Sequence, residues 1–212
     1  MLHIKNKELA VPGVLLAEGD YINEDGTHKE KGKIYASVVG ICYVDRRRVR
    51  VVALEGKYIP KQGDTVIGTI VYERFSGWKV DINSPYDATL SDRDIFIGRY
   101  DSLKVGDLVY ARIVKVTEVF ETSLYAKRPY GKLDNGIVIE IHSSRVPRLI
   151  GRKGSMIKLI KEKTGSVITV GQNGLVWIRG GKQELAAQAC HMVDKEAHIP
   201  GLTDRISEFL SR

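Results

Sequence analysis

Residues 136–197 restrict the fold more than any other stretch. Gly136–His142 alternates, with Ile137, Ile139 and Ile141 on one face and Val138, Glu140 and His142 on the other, which is the period of a strand. A short helix is expected around Val146–Ile150, followed by the turn Gly151-Arg152-Lys153-Gly154. The next helix, Ser155–Lys163, buries Met156, Ile157, Leu159 and Ile160 and exposes Lys158, Lys161 and Lys163. Gly165 ends it. Val167–Val170 and Leu175–Ile178 then form a hairpin across Gln172-Asn173-Gly174, because Asn-Gly is a strong turn signal. A long helix over Gln183–Ala197 completes the order β-α-α-β-β-α.

The turn between the first two helices carries the chemistry. Glycine has no Cβ, so Gly151 and Gly154 let another backbone approach closely, and Arg152 and Lys153 face whatever approaches. That pairing suits the sugar-phosphate chain of single-stranded RNA. Charge is concentrated at the same place. The chain carries a net +7. Residues 61–130 balance 10 cations against 10 anions, whereas residues 131–200 hold 11 against 6. Arg145 through Lys163 holds seven cations and one anion, the electrostatic footprint of a nucleic-acid binder. Arg148, Lys158 and Lys161 add longer-range attraction that weakens with salt. Ile150, Ile157 and Ile168 offer either an apolar bed for about four nucleotides or plain core.

Other function classes find little support. The chain shows no nucleophile elbow, Walker loop or zinc-binding motif, so it reads as a non-enzyme without metal or cofactor. Asp92 and Asp94 are the nearest thing to an Mg²⁺ pair, and short acidic runs in loops are usually solvated. Cys42 and Cys190 have no Cys/His neighbours at metal spacing and read as reduced, buried thiols. No apolar run of about 18 residues occurs, and the N-terminus lacks a secretory hydrophobic region. The expectation is a cytoplasmic protein with no membrane partner.

Two further segments precede the helical one. Residues 1–60 alternate in short runs, Val14–Ala17, Ile34–Gly40 and Val49–Leu54, separated by Pro12-Gly13 and Asn23-Glu24-Asp25-Gly26, which predicts a small all-β unit. Arg46-Arg47-Arg48 is placed in a turn, as a contact to RNA or an acidic partner, or as a hydrated hairpin tip. Residues 61–130 offer five strands, Thr65–Tyr72, Lys79–Ile82, Ala88–Leu90, Leu108–Val116 and Ser123–Ala126. With Gly77 at the first turn, these fit a five-stranded OB-type barrel, with Asp92–Val105 as a long connection. The whole reads as a multidomain chain, mainly β with one α+β module at 131–212.

The order of elements around Gly151–Gly154 resembles a KH domain of the eukaryotic, type I topology. The middle segment resembles the S-one RNA-binding family of OB barrels, through Gly63-Asp64, Gly68, Gly77, Val80-Asp81-Ile82 and Gly106-Asp107. Members of that family stack bases on an aromatic just after the glycine. Lys79 stands near that place, with Trp78 beside it. Lys79, Trp78, Arg74 and Phe75 are the candidates on the barrel. Stacking on Trp78 or Phe75 would add roughly 1–3 kcal/mol, and either ring fits core or a docking surface equally well.

Taken whole, the module order, Pro12-Gly13, Gly32–Ser37 and the Gly151–Gly154 turn resemble the RNA-binding cap-subunit family of the archaeal exosome. The resemblance implies a non-catalytic subunit that gathers single-stranded RNA and guides its 3′ end to a ring of phosphorolytic RNase-fold subunits. It also implies that the first β unit docks on that ring, and that further cap subunits are partners. The alternative is a transcription or translation factor built from the same OB and KH modules.

Overall fold

A computed structural model describes residues 1–53, 56–95, 103–197, 199 and 201–211. The chain divides into two compact units, Met1–Gly56 and Lys57–Arg212.

The first unit is all β. Its strands are β1 (Leu9–Ala10), β2 (Leu15–Glu18), β3 (Ile22–Asn23), β4 (Thr27–Glu30), β5 (Lys33–Ala36), β6 (Gly40–Asp45) and β7 (Arg48–Ala53). They form two small sheets, ordered β1-β6-β7-β3 and β2-β5-β4. Alternate residues Ile34 and Ala36, and Val49 and Val51, join Leu16, Ala17 and Cys42 in one core. The expected run Ile34–Gly40 is two strands, because the chain leaves one sheet after Ala36 and joins the other at Gly40. Leu54, the end of the third run, lies outside the described residues. The arginine triplet also divides. Arg46 takes a left-handed φ of 52° at the hairpin tip, whereas Arg48 starts β7 and pairs with Glu24 at 3.2 Å.

The second unit joins a barrel to an α+β module. The barrel strands are β8 (Thr65–Arg74), β9 (Gly77–Asp81), β10 (Ala88–Ile95), β11 (Leu108–Val116) and β12 (Thr122–Ala126), with β13 (Gly131–Leu133) added at one side. The sheet runs β12-β10-β9-β8-β11-β13, and a β11–β12 pairing closes it on itself. Closure removes the free edges. Tyr58, Val66, Ile70, Val80, Leu90, Val109, Ile113 and Leu124 fill the interior. β10 continues to Ile95, so Asp92 and Asp94 stand on a strand rather than in a loop, and Asp92 accepts a hydrogen bond from the Ser91 hydroxyl at 3.1 Å. Residues 96–102 of the expected long connection lie outside the described residues.

In the α+β module, β14 (Ile137–Glu140) leads into α1 (Val146–Ile150), the glycine turn and α2 (Ser155–Thr164). The hairpin β15 (Val167–Val170) and β16 (Leu175–Arg179) follows, then α3 (Gln183–Glu196). An additional helix, α4 (Leu202–Phe209), buries Leu202 and Ile206 in the same core. It is short and was not anticipated from the sequence. The sheet is antiparallel in the order β14-β16-β15. Leu149, Met156, Ile160, Val176, Ile178, Ala189 and Val193 bind the helices to one face of it.

The β15–β16 hairpin tip seals this module to the barrel. Asn173, 1% exposed, donates from Nδ2 to the carbonyls of Ile67 at 2.7 Å and Ile82 at 2.8 Å. Its Oδ1 accepts from the Ile67 N–H at 3.3 Å. Gln172 N–H donates to the Thr65 carbonyl at 2.7 Å, and the Thr65 hydroxyl bonds Gln172 Oε1 at 2.9 Å. Buried carbonyls need partners, and here one amide side chain serves a carbonyl on β8 and one just past the end of β9. Among the described residues no helix is long and apolar enough to cross a membrane.

Candidate nucleic-acid interface

Helix α1 is five residues long, and Gly151 stops it, donating its N–H to the Pro147 carbonyl at 3.0 Å. Gly151 has φ 75° and ψ 173°, a conformation open chiefly to glycine. A Cβ there would lie 2.8 Å from the Met156 backbone nitrogen. The chain then makes a single tight turn. Lys153 sits at φ 52°, and Gly154 follows at φ 78°, donating its N–H to the Gly151 carbonyl at 3.1 Å. No atom lies within 4 Å of the place a Gly154 Cβ would occupy. The two glycines therefore differ. Gly151 makes the loop fold, and Gly154 leaves its outer side open.

Gly154 is also the capping position of α2, and no side chain caps that helix. The Gly154 and Ser155 N–H groups are taken by the Gly151 and Arg152 carbonyls, so what α2 presents at the turn is the positive end of its dipole. This contribution was not expected from the sequence. Its signal was present all the same, because glycine stands where serine, threonine or aspartate normally supplies an acceptor.

The charges follow. Arg152 and Lys153 are exposed, and among the described residues neither side chain has an ion-pair or hydrogen-bond partner. Arg148 is exposed at the end of α1. Lys158 is exposed and stands 3.7 Å from Glu162, one turn along α2. Lys161 is half-buried rather than free on the surface, because α2 turns that flank toward the module. Ile150 and Ile157 are half-buried at the core's margin, whereas Ile168 is 3% exposed and belongs to the core.

The barrel candidates separate. Trp78 is 8% exposed and packs in the barrel core, which leaves too little of its ring for a base to stack on. Strand period explains this, since Trp78, Val80 and Ile82 point to the same side and all three are buried. Lys79, on the opposite face, is half-buried and pairs with Asp87 at 2.6 Å. Arg74 is exposed at the end of β8, and Phe75 is fully exposed at the hairpin tip.

Comparison with known proteins agrees with this layout module by module. Residues 7–55 match the "Exosome RNA binding protein RRP4 N-terminal domain" model, residues 58–134 the "Exosome complex component RRP40, S1 domain" model, and residues 136–195 the KH domain model. The exosome complex component Rrp4 of Methanothermus fervidus is 44% identical, over 100% of this chain and 99% of the relative. That of Methanobrevibacter smithii is 44% identical, over 100% of this chain and 73% of the relative. The Thermococcus kodakarensis protein is 45% identical over 99% and 87%. A crystal structure described as that of an exosome complex RNA-binding protein superposes with a TM-score of 0.66 at 37% identity, covering 74% of this chain and 96% of its own. With three successive modules matched and full-length relatives at this identity, the chain belongs to the Rrp4 family of exosome complex components.

Proposed function

We propose that this chain is a non-catalytic subunit that captures single-stranded RNA and guides its 3′ end to a ring of phosphorolytic 3′-to-5′ exoribonuclease subunits. The observation that carries the reading is the Gly151–Gly154 turn. Its backbone is open at Gly154, its two cations are unpaired, and the positive end of the α2 dipole follows. A phosphate lying against Gly154 meets that end of the helix while Arg152 and Lys153 neutralise its charge. Arg148 and Lys158 extend the attraction, and Lys161 contributes from a less open position. Arg74 and Phe75, exposed together at one barrel hairpin, are proposed as a secondary contact. The names carried by the relatives support RNA and other exosome subunits as partners. The first β unit is the proposed docking element for the ring. Cys42 and Cys190 are buried and unpaired, and burial pushes the Cys190 thiol up to about 12. Inert thiols of this kind suit a reducing compartment, and the cytoplasm is the proposed setting.

The double substitution Arg152→Asp with Lys153→Asp tests the reading, because both side chains are exposed and the fold does not depend on them. RNA affinity at low salt is expected to fall by more than about tenfold. The slope of log K against log salt should lose about 0.7 for each phosphate contact removed. An unaltered dissociation constant would remove this turn from the mechanism. In the same preparation, with Mg²⁺ and phosphate present, the isolated chain is expected to release no nucleotides from RNA.

A further inference from the structure

The outer face of the barrel carries a second constellation that the glycine turn does not explain. Arg112 on β11 faces Tyr125 on β12 in the antiparallel register. Tyr130 follows the turn after β12 and donates its N–H to the Lys127 carbonyl at 3.1 Å. Its ring lies 5.3 Å from that of Tyr110, tilted by 52°. Arg112, Tyr125 and Tyr130, with Gly63 and Val114, line a cleft of about 350 Å³. That is near the lower end of the roughly 300–1,000 Å³ range of small-ligand sites. Tyr125 and Tyr130 are half-buried, Arg112 and Val114 are exposed, and no carboxylate lines the cleft. Among the described residues Arg112 has no partner for its charge.

We infer that this cleft is a nucleotide subsite of the barrel, in which a base of single-stranded RNA lies against the tyrosines while the adjoining phosphate meets Arg112. Three features favour that occupant. The walls are aromatic and aliphatic, as stacking on any base requires. The one charged group is a guanidinium, whose fork of donors suits phosphate. The cleft also adjoins the seam with the KH module, because Arg112 pairs in register with Thr65, and Thr65 bonds Gln172. This face is separate from the β9 face of Lys79, where Asp87 answers the lysine charge. The inference rests on the proposed RNA-binding function and adds a second contact point for a longer strand.

The test uses the full chain and fluorescence anisotropy with labelled oligoribonucleotides of about four and about twelve nucleotides. Arg112→Glu changes an exposed side chain, and Tyr130→Leu removes a ring while keeping apolar volume. Each is expected to weaken the longer RNA by roughly 5- to 150-fold, the loss of one stacked and paired nucleotide, and to leave the shorter one unchanged. By contrast, Arg152→Asp with Lys153→Asp should weaken both lengths. If the longer RNA binds both cleft variants as tightly as the parent while the turn variant is weakened, the subsite is wrong and the function stands. If the turn variant binds normally and the cleft variants do not, the subsite stands and the reading of the turn fails. Should all variants bind like the parent, both fail. Arg112→Glu keeps the test valid if Tyr130→Leu unfolds.

Discussion

Two glycine–lysine stretches in this molecule look alike as sequence and behave as opposites. Gly77-Trp78-Lys79 opens strand β9 just after a hairpin turn, and Gly151-Arg152-Lys153-Gly154 forms the turn before α2. At Gly77 (φ 148°) a Cβ would lie 2.2 Å from the Leu90 carbonyl oxygen, so neighbouring backbone already fills the space that the missing side chain leaves. Trp78 turns inward, and Lys79 is answered by Asp87. At Gly154 the corresponding space is empty and the cations are unanswered. A glycine whose vacancy is taken by protein serves packing. One whose vacancy faces outward can admit a ligand.

That contrast can be broken at three points. The largest expected effect is Gly77→Ala, which forces a methyl into the β10 backbone and should cost about 3 kcal/mol of stability, read as a lowered urea midpoint. RNA affinity of the folded fraction should not change. Gly154→Ala comes next. It meets no atom but holds alanine in the left-handed region, at about 1–2 kcal/mol. Its RNA affinity should drop by about tenfold, because the methyl occupies the approach side. An alanine variant that binds RNA normally would mean that the open space is incidental. Smallest is Lys79→Ala. An exposed ion pair contributes little, so stability should move by less than about 0.5 kcal/mol and RNA affinity by less than about twofold. A larger loss of affinity would show that Asp87 does not occupy the lysine and would restore the β9 face as a contact.

The sequence made the KH-type module readable because each of its elements is marked locally. Gly165 and the Asn173-Gly174 bend delimit segments whose apolar periods are unmistakable, and the helix and strand limits agree with expectation to within about two residues. Helix α4 escaped although Leu202, Ile206 and Phe209 recur at helical spacing, because eight residues are too few to hold a helix alone and its burial of Leu202 and Ile206 depends on a core made elsewhere. Trp78 was left open between stacking, core and docking surface, and its alternation with the buried Val80 and Ile82 places it in the interior. Arg112, Tyr125 and Tyr130 could not be grouped beforehand, since only strand register brings the first two together. Asn173 read as a bend and nothing more. Its second role requires the carbonyls of Ile67 and Ile82, more than 90 positions earlier in the chain.

The amide of Asn173 has a practical consequence for anyone dissecting this protein. A scissor placed near residue 130, where the sequence divides the second segment from the third, would split a shared hydrogen-bonded seam and leave the Ile67 and Ile82 carbonyls without that partner. A fragment beginning at Lys57 keeps that seam whole.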